Sequence, residues 1–84
     1  MTTQQIKTAI LQSLKDAHPF LLPEQSLFAD ANLRLAHAIS MTEFRGALHE
    51  LETNQRVVSV RDEDKNLKWK ITDNGLARLA EMNG

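Results

Sequence analysis

Cysteine is absent from this sequence, so no disulfide framework supports the fold and no thiolate can act as nucleophile or metal ligand. No apolar run approaches the roughly 20 residues that a membrane helix needs. The first residues, Met1-Thr2-Thr3-Gln4-Gln5, lack the basic and apolar regions of a signal peptide. A cytoplasmic protein with no membrane partner is therefore expected. An excess of one charge is missing too: 10 Lys and Arg stand against 11 Asp and Glu, a formal net charge of -1. That balance removes the simplest argument for a nucleic-acid binder, a broad basic surface. There is no internal repeat and no Gly/Ser-rich linker, and three glycines and two prolines serve as punctuation. With 84 residues, 42% of them hydrophobic and 25% charged, the expectation is one globular domain over residues 1–84.

Groups for catalysis are also lacking. His18, His37 and His49 are not spaced i,i+4, and no His-Glu-x-x-His pattern occurs. No Gly-x-Ser-x-Gly elbow and no glycine-rich phosphate loop is present. The expectation is a protein that is not an enzyme, with no catalytic residue, no metal and no cofactor.

What the sequence does contain is periodicity. Ile6, Ala9, Ile10, Leu14 and Ala17 fall on one face of a helix over about 3–17, with Thr2-x-x-Gln5 as a capping box. Leu11 lies off that stripe, as a core extension or as part of a dimer seam. Pro19 disfavours helical geometry at His18 and ends the helix. Phe20-Leu21-Leu22 reads as an extended, buried connector. Pro23-Glu24 suits the first turn of a second helix whose buried face is Leu27, Phe28 and Ala31 and which ends between Ala31 and Arg34. Leu35 to Ile39 has no period and reads as an ordered loop.

Ser40-Met41-Thr42-Glu43 is a second capping box, opening a third helix to about Asn54. Its apolar stripe is Met41, Phe44, Ala47, Leu48 and Leu51. Asparagine tolerates left-handed geometry, so Asn54-Gln55 can carry the chain out. Val57-Val58-Ser59-Val60 is β-branched, Asp62-Glu63-Asp64-Lys65-Asn66 is a polar turn, and Leu67, Trp69 and Ile71 alternate with Lys68 and Lys70. That is a hairpin, with Trp69 facing inward over the third helix. Thr72 caps a short last helix with Leu76, Leu79 and Ala80 on its apolar face.

The order helix, extended piece, helix, helix, hairpin, helix resembles the winged-helix (winged helix-turn-helix) domain. The most specific stretch runs from Leu48-x-x-Leu51 through Val57-Val58-Ser59-Val60 to Trp69-x-Ile71-Thr72-x-x-Gly75-x-x-x-Leu79, similar to the end of many small bacterial winged-helix regulators. The resemblance implies an α+β fold: a three-helix core, a C-terminal β-hairpin wing and a short final helix. It further implies a DNA-binding transcription regulator, with helix 40–54 in the major groove of double-stranded DNA and the wing 61–68 on the backbone or minor groove, as a possible homodimer.

Carried onto this chain, the candidate DNA-binding residues are Thr42, Arg45, Gly46 and His49 on the helix face opposite the apolar stripe, with Arg61, Lys68 and Lys70 in the wing. Arg61 is placed with the two lysines across the hairpin. The helix also carries Glu43, Glu50 and Glu52, and the wing tip is acidic at Asp62-Glu63-Asp64. Acids facing phosphate cost affinity. The alternative is a protein–protein interaction module on the same scaffold. The two part on whether the basic residues gather on one surface or pair with acids.

Overall fold

The computed structural model describes residues 2–83. Seven elements follow one another: α1 (Thr3–Ala17), β1 (Leu22–Pro23), α2 (Glu24–Arg34), α3 (Met41–Thr53), β2 (Val57–Arg61), β3 (Leu67–Ile71) and α4 (Asp73–Asn83). The strands form one antiparallel sheet in the order β1-β3-β2. The architecture is α+β, with helices over one face of a small sheet.

Local chemistry sets the helix ends. At α1, Thr2 and Gln5 satisfy each other's main-chain N–H groups, and at α3 Ser40 and Glu43 do the same, at 3.1 and 3.2 Å. Thr72 Oγ1 accepts from the Gly75 N–H at 3.0 Å and starts α4. Pro23 precedes α2 as its cap rather than occupying the first turn, because the strand pairing with β3 holds it extended. At the end of α3 the left-handed residue is Gln55 (φ 62°), not Asn54. The Arg56 N–H reaches back to the Leu51 carbonyl at 2.9 Å, and this closure puts the left-handed position one residue later than asparagine's preference suggests.

The loop from Leu35 to Ile39 is ordered by Asn32. Its side chain donates to the Phe28 carbonyl and accepts the Ile39 N–H at 2.8 Å. The wing loop is ordered by Asp62, whose Oδ1 accepts from the main-chain N–H of both Asp64 and Asn66 at 2.9 Å.

The core gathers Ile6, Ile10 and Leu14 of α1, Leu27 and Ala31 of α2, Phe44, Leu48 and Leu51 of α3, Val57, Trp69 and Ile71 of the sheet, and Leu79 of α4. Phe44 meets Phe28 edge-on, with ring centroids 5.2 Å apart. Leu11 is fully buried, so it extends the core of one chain and is not part of a seam between copies. Expectations of burial fail in two places. Phe20 is 74% exposed and Leu21 is exposed too, because the chain turns outside the sheet before β1 begins. Ala80 is exposed, leaving Leu79 to anchor α4 with Leu76 half-buried beside it.

Gly75 explains how α4 returns so tightly. A Cβ on it would lie 2.1 Å from the Arg56 carbonyl oxygen and 2.7 Å from Ile71 Cγ1. Only a residue without a side chain lets the first turn of α4 sit on the start of β2.

Candidate nucleic-acid interface

The period of α3 divides its surface cleanly. Phe44, Ala47, Leu48 and Leu51 are buried, and Thr42, Arg45, Gly46, His49 and Thr53 are exposed on the other side. Nothing lies within 4 Å of the place a Cβ on Gly46 would take. The apex of the helix is therefore uncovered, polar and nearly neutral.

Charges flank that apex, and neighbouring elements answer most of them. Arg45 pairs with Glu24 at the start of α2, at 3.5 Å. Glu50 pairs with Lys7 of α1 at 3.2 Å. Glu43 is occupied in the capping box, and Glu52 Oε2 accepts from the Ser59 hydroxyl at 3.0 Å. No cation on α3 is left without an acid.

The strand register sorts the wing residues. Lys68 lies opposite Val60, and Lys70 opposite Val58, on the face turned away from the helices. Arg61 lies opposite Leu67, on the other face, so it does not join the two lysines. Two residues apart in a strand share a face, and Arg61 is in step with Val57 and Ser59 rather than with Val58 and Val60. Lys68 reaches Asp62 at 3.9 Å. Lys70 makes no ion pair among the described residues. Of the seven candidates, Thr42, Arg45, Gly46 and His49 come together on one surface, Lys68 and Lys70 on a second, and Arg61 on neither.

No group of three or more His, Asp or Glu side chains that could hold a metal occurs among the described residues. No described helix is long and apolar enough to cross a membrane.

No family model matches this sequence, and no curated protein matches it either. Among solved structures, the chain is similar to a PadR-like transcription factor from Bacteroides fragilis. The TM-score is 0.77 at 13% sequence identity, over 96% of this chain and 79% of that one. The fold is a winged helix. In winged-helix terms, α3 is the third helix, β2 and β3 with their acidic loop are the wing, and the Trp69-x-Ile71-Thr72-x-x-Gly75 stretch is the return that closes the core.

Sequence reasoning missed Asn32 and Asp62 as the residues that order the two loops. The signal that could have found them is the tendency of Asx side chains to bond to nearby main chain. The partners of Arg45 and Glu50 come from distant segments and left no local signal.

Proposed function

We propose that this winged helix is a non-enzymatic transcription regulator that contacts duplex DNA through the apex of α3. The observation that carries the reading is the uncovered apex itself. Thr42, Gly46, His49 and Thr53 are exposed, with nothing within 4 Å of a Cβ on Gly46, on a helix closed by its capping box at one end and by the left-handed Gln55 at the other. Hydroxyl and imidazole groups can meet base edges, and a glycine allows close approach of the duplex. The likeness to a transcription factor of the same fold supports this reading by analogy.

Electrostatics contribute little to such binding. Arg45 and Lys68 already carry acids, and the wing tip is itself acidic. Few counterions would be released, about 2 per protomer, giving a slope close to -2 when log affinity is plotted against log salt. On charge alone, the pairs at Arg45 and Lys68 and the separate face of Arg61 favour the alternative, a protein-interaction module, and the exposed apex and the shared fold are what support DNA over it.

Titration of random-sequence duplex at about 50 mM salt, where attraction between charges is greatest, separates the two. Weak association with that shallow slope is expected. Glu24→Gln, which releases Arg45, should tighten it, and removing both Lys68 and Lys70 should weaken it alike for all sequences. Failure to bind at tens of micromolar protein, with no site recovered from a random pool, would leave the protein-interaction reading.

A further inference from the structure

The two edges of the sheet are treated differently. β1 is two residues long and ends in Pro23, which has no N–H to offer, so that edge is blunted. β2, at the other edge, is five residues long and contains no proline. Its pairing with β3 is continuous from Val57↔Ile71 to Arg61↔Leu67. The ladder is bracketed by the Thr72 N–H donating to the Arg56 carbonyl at 3.0 Å and the Asp62 N–H donating to the Asn66 carbonyl at 3.1 Å. Hydrogen-bonded pairs alternate along an antiparallel ladder, so Val58 and Val60 turn their main-chain groups to β3. Val57, Ser59 and Arg61 turn theirs to the open edge.

We propose that this edge is a self-association surface, on which β2 of a second copy pairs antiparallel about a two-fold axis at Ser59. The strand is its own complement in that register. Val58 comes opposite the partner's Val60, joining two side chains that are 43% and 44% exposed in the single chain. Such non-hydrogen-bonded pairs bring β-branched side chains close together. Val57 comes opposite the partner's Arg61.

That last pairing carries the charge argument. Arg61 makes no ion pair among the described residues. Beside Val57 is an open concavity of about 540 Å³, whose charged lining residues, Glu52 and Asp73, are both acids. Neither acid has a cation of its own among the described residues. The partner's Arg61 is therefore delivered to a basic-free pocket, and symmetry repeats the contact in reverse. The inference takes up the homodimer that the winged-helix resemblance implies, and it is tested without DNA, so it and the regulator reading can fail separately.

One short strand from each copy makes a small interface, so the association is weak, micromolar to millimolar. The experiment is sedimentation of the full chain over that range, with amide exchange measured at both ends of it. A dimer is expected, with exchange at Val57, Ser59 and Arg61 slowing as concentration rises. Arg61→Glu and Glu52→Arg should each weaken association by about tenfold, and the double variant should restore it. A chain that stays monomeric at millimolar concentration overturns the proposal. So does a dimer whose edge amides exchange at an unchanged rate, which would mean that the copies meet elsewhere. The exchange measurement uses the unaltered chain, so it decides even where a variant fails to fold.

Discussion

The inward and outward sides of α3 and β3 follow different rules. Along β3, Trp69 and Ile71 are buried while Lys68 and Lys70 stay half-exposed. Along α3, Phe44, Leu48 and Leu51 are buried while Thr42, Arg45 and His49 are not. The inward set follows from a period of 2 in the strand and 3.6 in the helix, a property of each element alone. The outward set is decided by which other elements arrive next to it. Arg45 is answered by Glu24 and Glu50 by Lys7, from segments distant in sequence. Burial is thus a local fact of this chain, and the freedom of a surface charge is a tertiary one.

The strongest way to break that comparison is to truncate one residue from each side of β3. Trp69→Ala should cost about 3–5 kcal/mol, from lost burial and the cavity left behind. Lys70→Ala should stay within about 0.5 kcal/mol, as surface changes do. Urea unfolding of both variants measures the contrast, and similar losses would mean that the two faces are not distinct. Trp69 also buries its indole N–H without a partner. Phenylalanine in its place keeps much of the packing and removes that orphaned donor, so it should cost clearly less than alanine.

The same division explains how far the sequence could be read. Both capping boxes, the helix spans, the hairpin and the inward tryptophan were legible, because each rests on residues within a few positions of one another. Arg61 was misplaced with the lysines because the side of a strand on which a residue falls depends on the pairing register, and the hairpin loop sets that register. Phe20 was misread as buried because an apolar run between two prolines gives no period to tell inside from outside. The candidate site was legible as a list of exposed residues on α3. Its electrostatics were not, because they depend on Glu24 and Lys7.

Two glycines sharpen the contrast at intermediate size. Gly75→Ala forces a methyl group against the Arg56 carbonyl, so α4 must lift from β2, at a cost of about 1–3 kcal/mol. Gly46→Ala meets open space on an exposed helix and should stabilise by about 0.5–1 kcal/mol. Thermal unfolding should therefore move in opposite directions for one and the same substitution. If α3 lies against DNA at Gly46, the second variant should also bind duplex more weakly while being more stable. A change in stability alone would take Gly46 out of the interface.

The smallest effect tests whether an outward charge can matter to the fold at all. Asp30 lies on α2 and faces Ser13 of α1, and its carboxyl is held below the usual aspartate value by the Ser13 hydroxyl first and then by Arg34. The Ser13 hydroxyl faces it without closing a well-formed bond, so the Arg34 contact at 3.1 Å is the firmer of the two. Arg34 also pairs with Asp16 of α1, which ties the two helices together. A carboxyl with a lowered folded value stabilises the fold above its unfolded value, and loses that contribution as pH falls through the folded one. Asp30→Asn should therefore cost about 0–1 kcal/mol at neutral pH, the range for exposed pairs. The gap between variant and parent should close once the pH falls below the ordinary aspartate range. Stability curves of the two chains from neutral to strongly acidic pH test this. A gap that persists in acid would assign the loss to packing at the α1–α2 contact instead of to charge. Added salt separates the causes again, since screening shrinks an exposed ion pair and leaves packing as it was.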